Sequence, residues 1–166
     1  MIVGRDVLLR VDKTDAKPDG TVLEVKNLSV SGKNGPAVKG VSFSVRAGEI
    51  VGIAGIEGNG QTELVEALSG LSKSARGTVE CDGKDITNQS ARQLKELGIA
   101  HIPEDRHKRG LVLPFAAWES ATLGYQKQAR YDRHGWMRAA VMRGDCATMM
   151  ERYDVRPRDA ALGSAK

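Results

Sequence analysis

An α/β fold organised around a phosphate-binding loop is predicted by three observations. Gly55-Ile56-Glu57-Gly58-Asn59-Gly60-Gln61-Thr62 matches the spacing G-x-x-x-x-G-[K]-[ST], with glutamine where lysine is expected. The apolar run Ile50-Val51-Gly52-Ile53-Ala54 precedes it and Glu63-Leu64-Val65-Glu66-Ala67-Leu68 follows, giving the order strand, glycine loop, helix. Ahead of both, two strand-like runs joined by Ser31-Gly32-Lys33-Asn34-Gly35-Pro36 read as an antiparallel hairpin placed before a parallel core.

The elements follow in chain order. Residues 1–20 include Lys13-Thr14-Asp15-Ala16-Lys17-Pro18-Asp19-Gly20 and read as a linker. Val22, Val25, Leu28 and Val30 mark a first strand, and Val41, Phe43 and Val45 alternate as a second. Ala47-Gly48-Glu49 turns the chain into a buried loop-bearing strand. Gly70 stops the helix after the loop, and residues 77–83 give a short strand with a turn. Ser90 caps a helix containing Leu94 and Leu97, which Gly98 ends. Ile99-Ala100-His101-Ile102 reads as a strand closed by Pro103, with His101 inside it as a core residue. Glu104 to Gly110 is a charged loop. Helices are predicted over 118–123 and 137–153, with Trp118 and Trp136 as packing anchors. The division is therefore a linker (1–20), an α/β core with an antiparallel part (21–104) and a helical portion (105–166).

Composition narrows the function classes. With 166 residues the chain has the length of one domain, and at 4% aromatics its core must rest on Val, Leu, Ile and Ala. Residues 1–100 carry 13 basic and 13 acidic side chains, and residues 101–166 carry 12 and 8. The net charge of +4 thus comes from the C-terminal part, interspersed with acids, and is too dilute for a nucleic-acid patch. Cys81 and Cys146 lie far apart with no CxxC partner, which points to a reducing compartment and small buried residues, not to a disulfide or zinc framework. No apolar run reaches the roughly 18–20 residues of a membrane span, and residues 1–6 lack a signal-peptide layout. The reading is a cytoplasmic protein unless a partner holds it at a membrane.

The loop's chemistry is that of an anion cradle. Backbone N–H groups converge at a helix N-terminus whose dipole favours negative charge. Gly58 and Gly60 allow close backbone approach, and Thr62 offers the hydroxyl that would hold Mg2+. Gln61 donates only neutral hydrogen bonds, so the missing ammonium should lower phosphate affinity by about 1–3 kcal/mol. Glu57 adds a carboxylate that does not help. Hydrolysis should suffer more than binding, because phosphoryl transfer relies on positioning and charge neutralisation. A dinucleotide fold would need G-x-G-x-x-G, and Gly55, Gly58 and Gly60 are spaced the other way round. A glycine corner without ligand remains the plain alternative.

From Thr21 to Arg109 the chain resembles the nucleotide-binding domain of an ABC transporter. More narrowly, it resembles the second, degenerate ATP-binding domain in the fused ATPase subunits of simple-sugar and nucleoside importers. The residues that carry this are 23–30 (LEVKNLSV), 40–50 (GVSFSVRAGEI), the loop through Leu64, and 97–106 (LGIAHIPEDR). Residues 110–113 (GLVL) favour the branch working with nucleoside-binding lipoproteins. The resemblance implies a P-loop NTPase fold with an antiparallel β part and the start of a helical subdomain, incomplete at its C-terminal end. It implies that ATP and Mg2+ bind weakly or conditionally through Gly55, Glu57, Gly58, Asn59, Gly60, Gln61, Thr62 and Glu63, with Val38 nearest the adenine. An aromatic for adenine stacking is missing from Ser29 to Pro36, and Glu104 stands where the family has its Q-loop glutamine.

The resemblance places the signature motif, Walker B carboxylates and switch histidine beyond Lys166, so no catalytic residue is assigned. It implies three partners: a preceding ATP-binding domain of the same polypeptide, transmembrane permease subunits and, indirectly, a substrate-binding lipoprotein. The implied location is the inner face of the plasma membrane. Arg106, Lys108 and Arg109 would lie near the permease contact. Without the Walker B strand beside them, Val51 and Ile53 would be left exposed and the chain marginally stable and prone to aggregate. The rival function is a non-catalytic P-loop-like scaffold or regulatory module, and a small independent NTPase is the third.

Overall fold

The structure is a computed structural model, which describes residues 15–32, 35–56 and 58–163. The chain divides into two compact units at Leu94/Lys95.

The first unit is built on one sheet. β1 (Thr21–Gly32) and β2 (Gly35–Arg46) form a long antiparallel hairpin, registered by Val25↔Phe43, Leu28↔Val41 and Val30↔Val38. β3 (Ser74–Cys81) pairs with the other edge of β1 through Val25↔Val79, and β4 (Lys84–Asp85) adds a short edge. The strand order is β2-β1-β3-β4, antiparallel throughout. Val25, Leu28, Val30 and Val38 are each 4% exposed or less, and Val79, Ile86 and Leu94 join them in an aliphatic core. α1 (Gln61–Leu68) buries Leu64 and packs on β1 and β2. α2 (Ala91–Glu96) begins where expected: Ser90 N–H and Oγ–H both donate to Gln93 Oε1, at 3.0 and 2.7 Å. That exchange supports the helix start that Ser90 signals.

The parallel part of the predicted core is not formed as strands. Residues 50–56 and 99–103 adopt no strand, and no parallel pairing occurs among the described residues. Ile50 is 98% exposed and Ile102 83%. The loop-bearing run is thus exposed, against the buried strand that its sequence predicts. The physical reason is that a parallel strand is stable only when paired and covered on both faces, and neither run has a strand partner here.

The second unit is helical. α3 (Arg106–Arg109) is a single turn within the charged segment read as a loop, started by Asp105, whose carboxylate accepts from Lys108 N–H at 3.0 Å. α4 (Ala117–Thr122) packs against α5 (Ala139–Arg152), which buries Met142, Cys146 and Met150. Between them β5 (Asp132–Arg133) and β6 (Trp136–Met137) make a small hairpin turned by His134 and Gly135, at φ 54° and 89°. The predicted helix over 137–153 therefore starts two residues late, with Met137 in β6 instead. Trp118 is half-buried as an anchor, with the Arg143 guanidinium 5.1 Å from its ring centre. Trp136 is not an anchor but 79% exposed.

Candidate functional site

The loop runs from exposed Gly55 to buried Gly60, which precedes the first residue of α1. Asn59 N–H donates to the Ile56 carbonyl at 3.2 Å, making the turn, and Gly58 and Gly60 lie at φ 86° and 96°. Both values fall in the left-handed region where a side chain costs about 1–2 kcal/mol, as the two glycines suggest. Gly60 is also fixed by contact. A Cβ there would run into the Ala37 carbonyl oxygen and lie 3.1 Å from its carbon and 3.4 Å from Val38 Cγ2. β2 thus carries Ala37 and Val38 against the end of the loop. Ala37 was invisible as a site residue in the sequence, since its contribution is backbone.

The carbonyl of Gly60 accepts from Leu64 N–H at 2.9 Å, and no side chain caps α1. The first-turn N–H groups are those a helix cannot satisfy internally, and they lie beside exposed Gly58, Asn59 and Thr62. Glu63, half-buried, is the acidic residue of the first turn. Glu57 lies outside the described residues.

Gln61 takes an unforeseen position. Its side chain folds back so that its carboxamide occupies the place a Cβ on Gly55 would take, with Cδ 2.7 Å and Cγ 3.5 Å from that place. The first and last parts of the loop are thereby linked through the residue that replaces lysine. Between Arg46 and Lys73 the chain has no lysine or arginine but four glutamates, Glu49, Glu57, Glu63 and Glu66. The loop's own sequence offers an anion backbone dipoles and neutral donors, with no cationic side chain. Val38, at 4% exposure, touches the loop but presents little surface for a base. Thr62 is the metal candidate, and no cluster of three or more His, Cys, Asp or Glu exists among the described residues.

In the second unit a cleft of about 430 Å³ is lined by His101, Ile102, Pro103, Arg106, His107 and Leu111, among others. His101, expected in a strand core, instead lines this cleft. Glu104 is exposed in the same segment. No helix among the described residues is long and apolar enough to cross a membrane.

Comparison with known proteins gives a consistent picture. The family model described as ABC transporter matches residues 38–156. The nucleoside import ATP-binding protein NupA of Lactococcus lactis is 43% identical over 94% of this chain. The guanosine import ATP-binding protein NupO of Bacillus subtilis is 42% identical over 96%, and a ribose import ATP-binding protein of Chromobacterium violaceum 35% over 98%. The chain spans 31% of the length of each of these relatives. Among solved structures, a dimeric ATP-binding cassette in a post-hydrolysis state with ADP and Pi superposes with a TM-score of 0.67 at 20% identity. That match covers 86% of this chain and 61% of the cassette. It supports the P-loop cassette fold, of which this chain holds a part.

Proposed function

Because this chain belongs to the ABC transporter family, we propose that it is part of the ATP-binding component of an importer for nucleosides or simple sugars. Its loop at residues 55–63 receives the phosphates of ATP in this reading. The observation that carries it is the pair of left-handed glycines, Gly58 and Gly60, opening onto the uncapped start of α1. Backbone N–H groups at such a start bind anions through hydrogen bonds and the helix dipole. Gly55, Gly58, Asn59 and Gly60 shape the cradle, Gln61 donates its amide, and Thr62 supplies the hydroxyl toward Mg2+. Magnesium, when bound with the nucleotide, neutralises phosphate charge. Binding is weak because no cation lies near the loop in sequence, and this chain by itself does not hydrolyse ATP. Closure over nucleotide against a preceding ATP-binding domain would drive transport.

The cleft at His101–Leu111, with Arg106 at its edge, is the surface we assign to the permease subunits, which would keep the protein at the inner face of the membrane. A substrate-binding lipoprotein would act through those subunits. One observation favours the rival scaffold reading: Gln61 folded onto Gly55 fills part of the loop with the protein's own side chain.

Calorimetric titration with Mg-ATP tests the two. The reading expects binding in the high-micromolar range, lost without magnesium, and about tenfold tighter in Gln61→Lys, equivalent to about 1.4 kcal/mol. A folded Gln61→Lys protein that binds no more tightly than the original would leave the scaffold reading standing.

A further inference from the structure

The β5–β6 hairpin presents an aromatic and a thioether outward on a rooted base. Trp136 is 79% exposed and Met137 63%. Arg133 pairs directly with Trp136 across the hairpin, so both side chains stand on one face. The base is held firmly. Arg130 makes a two-pronged ion pair with Asp145 of α5, Arg138 N–H donates to the Tyr131 carbonyl at 2.8 Å, and the Tyr131 ring is buried. Within residues 127–138, Lys127, Arg133 and Arg138 are exposed cations, and Asp132 is the one acid of that stretch.

We propose that this hairpin is a contact for an anionic membrane surface. Tryptophan is an amphipathic ring suited to the headgroup layer, and nearby arginines and lysines are attracted to acidic lipids. Six residues, 132–137, are far fewer than the roughly 20–30 per side of a stable protein interface, so a second copy or a folded partner is a poorer match. An interfacial anchor needs only an aromatic tip and a few cations. The inference stands on the hairpin alone and does not depend on the nucleotide reading.

The test is co-sedimentation of the whole chain with phosphatidylcholine vesicles with and without phosphatidylserine, in the absence of nucleotide. Salt-sensitive binding to the acidic vesicles is expected, with a blue shift in tryptophan emission. Trp136→Ala should abolish the shift and most of the binding. Arg133→Gln and Lys127→Gln should each weaken binding about fivefold, from about 1 kcal/mol per basic residue near the surface. All three side chains are exposed, so folding is retained and can be checked by circular dichroism. Equal binding to neutral vesicles, no binding to either kind, or binding that survives Trp136→Ala would each overturn the proposal. So would capture of an acidic peptide or of DNA by the same residues without vesicle binding.

Discussion

Replacing Gly55 by alanine probes the fold-back of Gln61 directly. The new Cβ would overlap the Gln61 carboxamide, while Gly55 itself does not occupy the left-handed region, so the backbone accepts alanine. The conflict is with the far end of a flexible side chain. Driving Gln61 into another rotamer costs about 0.5–1.5 kcal/mol. Removing a glycine returns about 0.4–1 kcal/mol by stiffening the unfolded chain. The net change in stability should lie within about 1 kcal/mol. Gly60→Ala is the contrast. It meets backbone at Ala37 and a left-handed φ, so about 1–2 kcal/mol of strain adds to about 1–3 kcal/mol of overpacking. Urea melts of both variants decide the matter, with Gln61→Ala and the double variant Gly55→Ala/Gln61→Ala completing a cycle. The two substitutions at 55 and 61 should be clearly non-additive, since alanine at 61 removes the obstacle. A Gly55→Ala as damaging as Gly60→Ala, or strict additivity in the cycle, would refute the placement of Gln61.

Further outcomes follow from the two cores. Leu64→Ala, which empties the buried face of α1, should destabilise the first unit by about 2–5 kcal/mol and loosen the loop's anchorage, read as a lower urea midpoint. In the second unit, the hydrogen bond from Arg130 holds the Asp145 carboxyl below its ordinary range. A carboxyl depressed on folding stabilises above its unfolded pKa of about 3.9 and loses that contribution as pH falls further. Asp145→Asn should therefore flatten the acid limb of a stability profile below about pH 4, and an unchanged limb would exclude the pair as its source.

Much of the first unit was legible because its signals are local. Alternating Val41, Phe43 and Val45, the stop at Gly70 and the Ser90 cap each act within a few residues of themselves, and the hairpin, α1 and α2 appear where they point. The runs at Ile50 and Ile99 show the limit. Their apolar character is strand-like, but strand formation requires pairing, and no pairing partner for them is found among the described residues. Val51 and Ile53 of the first run are 41% and 53% exposed. The β5–β6 hairpin had a faint signal in His134-Gly135, since both positions of a two-residue turn take positive φ and histidine tolerates that better than most residues. At the loop, the conformations of Gly58 and Gly60 could be read from their spacing. The contact with Ala37 and the direction of Gln61 could not, because each depends on a side chain or carbonyl brought from elsewhere in three dimensions.

The seat of Gly60 against Ala37 also sets an order of events in folding. The β1–β2 hairpin closes through neighbours as near as Gly32 and Gly35, whereas joining residue 60 to residue 37 closes a much longer loop with a larger entropy of closure. Short-range pairs form first and distant ones follow. The loop at residues 55–62 is therefore expected to take its shape after the hairpin, on a surface the hairpin has already made. Its amides should exchange with solvent sooner than those of the hairpin, and its last glycine, Gly60, takes its seat from β2.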